Sequence, residues 1–165
     1  MKIFYLIKIP NVITDEKTNS TKLISDNEGN MKLHIIGLKD CPSSKATKNI
    51  LPEDSHISVG NFTGFKNKDD IEYIEINEQK AQFKKVYPRI TFPFILFNNK
   101  FIGGNDVLQE IIRNIDNVNQ ILDNYKDYYT IINNSNDEKI TLSKLNPDEI
   151  KRLKEILKNI KISKI

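Results

Sequence analysis

Apolar residues along this chain are concentrated in short runs, which alternate with segments whose apolar positions recur at helical spacing. The runs are rich in β-branched and aromatic side chains, as is typical of buried strands. Pro52 and Pro88 end two of the helical segments. In chain order, the pattern predicts strand, helix, strand, helix, strand, strand and helix over residues 32–37, 42–51, 71–76, 78–87, 94–97, 101–102 and 106–115.

The order of these elements predicts a mixed sheet. A helix and a long connection join the first two strands, and such a crossover makes the two strands parallel. Asn98-Asn99-Lys100 instead forms a short turn after the third strand, which predicts an antiparallel hairpin. We therefore predict an α/β fold with a mixed central sheet flanked by helices, and we expect residues 51–68 to be a loop.

Two segments lie outside this pattern. Residues 1–30 begin with a strand-like run and continue as a polar, loop-like stretch. Residues 116–165 are predicted to form a helix from Val118 to about Tyr129, a loop, and a last helix that starts at Asn146-Pro147. The sequence thus predicts an N-terminal strand extension, a central domain and a C-terminal helical extension over residues 1–30, 31–115 and 116–165.

The last predicted helix is amphipathic. Ile150, Leu153 and Ile156 share one face, and lysine and arginine occupy most of the other. This pattern fits a helix docked on its own core with a solvated basic face. It also fits a helix that binds a partner, a second copy or an anionic surface, and both interpretations stay open. Tyr128 and Tyr129, just before the predicted loop, are expected to pack rather than to bind a ligand by stacking.

Composition narrows the class of protein. The 165 residues carry a net charge of +3, which gives no indication of nucleic-acid binding. The opening apolar run is interrupted by Lys8 and Pro10, so we expect neither a signal peptide nor a membrane span. A single cysteine excludes a disulfide framework within one chain, and it leads us to expect a cytoplasmic or other reducing intracellular location.

That cysteine, Cys41, stands between the first strand and the first helix, in the sequence Asp40-Cys41-Pro42-Ser43-Ser44. A thiol at a helix N-terminus faces free backbone amides and the positive end of the helix dipole, which favour the thiolate. A lone cysteine is often a small buried hydrophobe instead. The polar, turn-forming neighbours of Cys41 favour a reactive thiol.

Three segments occur in the order and context of one family. They are Cys41-Pro42-Ser43-Ser44 after a strand, Thr91-Phe92-Pro93 before an apolar strand, and Gly103-Gly104-Asn105-Asp106 at the start of a helix. Over residues 31–115 the chain resembles a glutaredoxin. The resemblance implies a thioredoxin-like fold, a groove for glutathione between these segments, and glutathionylated proteins as substrates.

The resemblance also implies roles for individual residues. Cys41 is the expected nucleophile, and Ser44 is either a hydrogen-bond donor to its sulfur or an ordinary helix residue. Pro93 is expected to be cis, so that the backbone of Phe92 pairs with the cysteinyl part of glutathione. The turn before the last helix of the domain offers an amide and a carboxylate to the γ-glutamyl group, although alone it would be an ordinary helix cap. The remaining expected contacts to glutathione come from Thr91, Gly104, Asn105 and Asp106.

Three positions depart from the family pattern. A basic residue is frequent three positions before the cysteine, where it binds the glycine carboxylate of glutathione, but Leu38 stands there. Lys39 and Arg89 are the candidates to supply that charge. Ser43 replaces an aromatic residue, and Ser44 replaces the second cysteine, so the implied chemistry is a monothiol cycle.

Two other functions stay open. Some monothiol glutaredoxins bind an iron–sulfur cluster with glutathione between two protomers, and Cys41 would then be a cluster ligand in a homodimer; otherwise no metal is expected. Pro42 and Ser43 do not match the Cys-Gly-Phe-Ser motif of the cluster-transfer class. The other function is a non-catalytic module that binds a partner through its extensions. The absence of a basic residue at position 38, where Leu38 stands, is consistent with such a module. A glutathione transferase would need a longer helical second domain.

Overall fold

A five-stranded mixed sheet forms the centre of the protein. The computed structural model describes residues 31–53, 55–59, 70–77, 80–98, 100–133 and 137–160, so the strand predicted near the N-terminus lies outside the described residues. The strands stand in the order β2-β3-β1-β4-β5. Their bounds are β1 (Leu33–Leu38), β2 (His56–Val59), β3 (Ile71–Ile76), β4 (Phe94–Phe97) and β5 (Lys100–Gly103).

The strand directions agree with the sequence pattern. β1 and β3 pair in parallel, from Leu33 opposite Ile71 to Leu38 opposite Ile76. β4 is antiparallel to both β1 and β5, which confirms the predicted hairpin. β1 therefore lies in the middle of the sheet, and its carboxyl end carries Cys41.

One strand lies where a loop was predicted. β2 is an edge strand that runs parallel to β3, and Ile57 on it is 42% exposed. Its sequence, His-Ile-Ser-Val, is short and lies among proline, glycine and polar residues, so its local pattern is weak. Its backbone hydrogen bonds come from β3, a neighbour that only the folded chain provides.

The described residues form five α-helices. α1 begins with proline at its first turn, after Cys41 in an extended conformation, and it buries Ser44, Thr47 and Ile50 on one face. None of the helices in the described ranges has the length and hydropathy needed to cross a membrane. Their bounds are α1 (Pro42–Ile50), α2 (Lys80–Val86), α3 (Asn105–Arg113), α4 (Val118–Tyr125) and α5 (Pro147–Leu157).

The junction between β5 and α3 depends on glycine. Gly103 has a φ of +107°, which residues with a side chain rarely adopt. An added Cβ at this position would also lie 2.7 Å from Val107. The sharp turn lets α3 start immediately after the edge strand, where Asn105 contacts Thr47 of α1.

The C-terminal extension is not entirely helical. α4 ends at Tyr125 rather than near Tyr129, and the predicted loop contains a small antiparallel sheet. Its strands are β6 (Ile131–Asn133) and β7 (Glu138–Ile140). Each strand is only three residues long and shows no clear alternation of its own, and its hydrogen bonds come from the other strand. The sequence alone therefore indicated a loop.

The extension packs on the same hydrophobic core as the central sheet. Leu153, Ile156 and Leu157 on α5 are buried in that core, which confirms that its apolar face docks on the protein itself. Glu149 completes a capping box with Asn146 at the start of α5, and its side chain is 1% exposed. It also accepts hydrogen bonds of 2.7 Å from Asn98 and Lys100 at the β4–β5 turn.

Candidate active site

Cys41 lies half-buried at the N-terminus of α1, where the sequence placed it. Its sulfur is 3.6 Å from the carbonyl oxygen of Phe92, the residue before Pro93. The Phe92–Pro93 peptide bond is cis, as the resemblance implied. Two sequence motifs that are 51 residues apart in the chain therefore meet at the sulfur.

The surroundings of Cys41 favour the thiolate. Burial alone would raise the pKa of this thiol. Hydrogen bonds to the sulfur from the Ser44 hydroxyl and from the amides of Ser44 and Ser43, together with the charge of Lys80, outweigh burial and hold the pKa below its ordinary value of 9.0. The thiolate is the nucleophilic form, so the site increases the reactive fraction at neutral pH.

Ser44 is a buried polar residue beneath the sulfur. Its hydroxyl oxygen accepts a 3.0 Å hydrogen bond from the backbone amide of Leu38, the last residue of β1. A serine hydroxyl has one proton and two lone pairs, so this bond leaves the proton available for the sulfur of Cys41. Of the two roles considered for Ser44, hydrogen-bond donation fits this geometry.

A groove of about 780 Å³ begins beside the first turn of α1. The three sequence motifs form one of its sides. Asn105 is held there by the Thr47 hydroxyl, which lies 2.8 Å from its side-chain oxygen and so connects α3 to α1. The side chain of Asp106 is exposed to the groove. The lining residues on this side are Ser43, Thr91, Phe92, Pro93, Gly104, Asn105 and Asp106.

The C-terminal extension also lines the groove. The Tyr129 hydroxyl donates a hydrogen bond to Asp106, and the Tyr125 hydroxyl lies 3.0 Å from Glu110. Tyr129 also packs edge-on against Phe101, whereas Tyr128 is 81% exposed, so the prediction that both tyrosines pack is wrong for Tyr128. The remaining lining residues are Glu110 of α3 and, from the extension, Asn124, Tyr125, Tyr128 and Tyr129.

The basic residues near Cys41 lie on its other side. Lys39 and Lys80 line a smaller depression of about 310 Å³, together with Cys41 itself. Arg89 is exposed and lines neither this depression nor the groove. Of the two basic candidates from the sequence, the structure thus brings Lys39 to the cysteine and leaves Arg89 outside.

Lys80 was not among the residues predicted for the site, although a signal for it exists. β1 and β3 are parallel and end side by side at Leu38 and Ile76. Residues that follow the two strands therefore lie at the same edge of the sheet, and Lys80 begins the helix after β3. No comparable signal exists for Tyr129, because its contact with Asp106 depends on how the C-terminal extension packs.

The described residues provide few potential ligands for a metal ion near one another. Within the described ranges, no group of three or more histidine, cysteine and acidic side chains is placed to hold a metal ion. Cys41 could supply one thiolate to an iron–sulfur cluster. Such a cluster would take its other ligands from a second chain and from free thiols.

Comparisons of the chain with models of protein families, with curated proteins and with solved structures find no match. The functional argument therefore rests on the residues of the site and on their geometry.

Proposed function

We propose that the protein is a monothiol, glutaredoxin-like oxidoreductase that removes glutathione from glutathionylated thiols. The observation that carries the proposal is a half-buried Cys41 whose pKa is depressed and whose sulfur lies 3.6 Å from the carbonyl of Phe92, a residue that lines the groove. A thioredoxin-like fold is part of the same proposal. The mixed order β3-β1-β4-β5, the helix after β1 and the cis proline before β4 support it.

Glutathione would lie along the groove in this proposal. The cysteinyl part would pair with the backbone of Phe92, and the γ-glutamyl part would reach the start of α3 and Asp106. Lys39 and Lys80 beside Cys41 are the available cations for the glycine carboxylate, since Leu38 carries no charge. Arg89 has no part in this arrangement.

The first chemical step is a thiol–disulfide exchange. The Cys41 thiolate attacks the glutathione sulfur of the substrate, and a bond between these two sulfurs forms while the substrate disulfide breaks. The substrate sulfur leaves with the bonding electron pair and takes a proton from water. The hydrogen bonds from Ser44 and Ser43 stabilise the attacking thiolate before this step.

The second step regenerates the enzyme. A second glutathione, as its thiolate, attacks the sulfur of the glutathione bound to Cys41; oxidised glutathione forms, and Cys41 leaves as the thiolate. Ser44 has no sulfur and cannot displace the bound glutathione, so the free thiol is needed for turnover. In sum, each substrate consumes one free glutathione: the mixed disulfide and the free thiol give the substrate thiol and oxidised glutathione, so one disulfide replaces another.

The test is the release of glutathione from a glutathionylated peptide. The purified protein is incubated with the peptide and free glutathione, and oxidised glutathione is measured. We expect turnover by the wild type and none by Cys41→Ser, with both proteins giving cooperative urea unfolding. Equal rates for the two folded proteins would reject the enzyme and favour the non-catalytic module. A visible absorbance band after anaerobic purification would point to a cluster instead.

A further inference from the structure

Tyr129 contacts the carboxylate of Asp106 in the groove. Its hydroxyl donates to Oδ1 of Asp106, and the backbone amide of Val107 donates to the same oxygen at 2.8 Å. Among the described residues, no hydrogen-bond donor contacts the other oxygen, Oδ2. Because two donors fix Oδ1, the carboxylate holds one orientation, and Oδ2 keeps its capacity to accept a hydrogen bond.

The position of the Tyr129 hydroxyl is tightly defined. A Cβ added to Gly104 would lie only 2.8 Å from this oxygen and 3.5 Å from the carbonyl oxygen of Pro93. The tyrosine ring packs edge-on against Phe101, with ring centroids 5.9 Å apart. The hydroxyl thus lies close to the backbone of Gly104 and Pro93, which belong to two of the three sequence motifs. It can occupy this position because Gly104 has no side chain.

The hydroxyl keeps its proton in this place. Burial, and then the hydrogen bond and negative charge of Asp106, raise the pKa of Tyr129 far above neutral pH. Since its single proton is directed to Asp106, the oxygen presents only lone pairs to the groove. Tyr129 Oη and Asp106 Oδ2 are therefore two neighbouring acceptors with negative character, which suits a ligand group that has several N–H donors and a positive charge.

We propose that Tyr129 is a ligand-binding residue that, with Asp106, receives the ammonium of a γ-glutamyl group and makes the site selective for γ-glutamyl thiols. This inference rests on the proposed function and deepens it. It gives the C-terminal extension a direct part in substrate choice, because the extension supplies Tyr129. An ammonium offers three donors, enough to engage both acceptors at once.

The test combines one variant with one altered ligand. Binding of S-methylglutathione, which cannot exchange disulfides, is measured by calorimetry for the wild type and for Tyr129→Phe. The same measurement uses the des-amino form of the ligand, whose γ-glutamyl ammonium is replaced by hydrogen. Phenylalanine keeps the ring on Phe101 and removes only the hydroxyl, so urea unfolding should remain cooperative.

We expect Tyr129→Phe to weaken binding of S-methylglutathione about tenfold, the loss of one hydrogen bond to a charged group. The des-amino ligand should bind equally to both proteins, which serves as the internal control. An equal loss for both ligands, or tighter binding by the variant, would overturn the inference while leaving the enzyme proposal intact. Selective binding without turnover would reject the enzyme and retain the inference. Failure of the wild type to bind either ligand would contradict both.

Discussion

The Tyr73 hydroxyl donates a 3.2 Å hydrogen bond to the backbone carbonyl of Ser44, beneath the candidate nucleophile. Tyr73 is 1% exposed, and burial, with the nearby Glu75, raises its pKa to about 12, so the hydroxyl stays protonated. The ring reaches α1 across Gly37 of β1, where an added Cβ would lie 2.1 Å from the hydroxyl oxygen. A glycine in a central strand is therefore needed to join β3 to the first turn of the helix that carries Cys41.

Removing this hydrogen bond should destabilise the protein. We expect Tyr73→Phe to lower the free energy of unfolding by about 1 kcal/mol, the net contribution of one intramolecular hydrogen bond. Gly37→Ala should cost about 1–3 kcal/mol, because its methyl group overpacks the core. Both values come from urea unfolding, with Tyr128→Phe as the exposed control. If Gly37→Ala has the same free energy of unfolding as the wild type, the Tyr73 hydroxyl does not lie as close to Gly37 as the structure places it.

The Ser44 hydroxyl should control the reactivity of Cys41. In Ser44→Ala the sulfur loses its side-chain hydrogen bond, so the pKa of Cys41 should rise and the thiol should react more slowly at neutral pH. The pKa is read from the rate of alkylation by iodoacetamide as a function of pH. Ser43→Ala is the matched control, because Ser43 acts on the sulfur through its backbone amide. Equal pKa shifts in the two variants would contradict a specific role for the Ser44 side chain.

Lys80 should lower the pKa of Cys41 through its charge. We expect Lys80→Met to raise that pKa, and we expect the difference from the wild type to shrink at high salt, since Lys80 is exposed and its field is screened. Lys85→Met removes a charge from an exposed position on the same helix and should leave the pKa of Cys41 where it is. If the two lysine variants shift the pKa alike, the effect is one of net charge rather than of position.

His34 should make the stability of the protein depend on pH. Burial, and then the charge of Lys32, lower the pKa of His34 from 6.5 to about 3 in the folded protein. Between these values the unfolded chain binds more protons, so the free energy of unfolding should fall as the pH decreases below 6.5, by up to about 1.4 kcal/mol per pH unit.

Urea unfolding between pH 7.5 and pH 4 tests this dependence. The free energy of unfolding of His34→Gln should decrease less steeply than that of the wild type over this range, because the variant lacks the group. Other titrating groups, including the buried Glu72 that lies 3.8 Å from His34, contribute to both curves, so the difference in slope is the relevant quantity. Parallel curves would mean that His34 is not the group responsible.

Much of the central fold could be predicted because its signals are local. β1 and β4 are apolar runs, and β3 largely alternates apolar and polar residues. The starts of α1 and α5 carry proline at their first turn, and the observed bounds agree closely with those expected. β2 and the small sheet in the C-terminal extension were missed. These strands are short, and their hydrogen bonds come from partner strands that the local pattern does not reveal.

The sequence by itself determined where the single thiol lies, at the helix N-terminus after a buried strand. The residues that indicate the strand, the turn and the helix follow one another directly in the chain, so the local pattern was sufficient. Only the tertiary structure decided which side chains surround it. Tyr73 lies 29 residues from Ser44, and Tyr129 lies 23 residues from Asp106. Such contacts depend on how whole elements pack in space, and the local pattern around each of these residues does not reveal that packing.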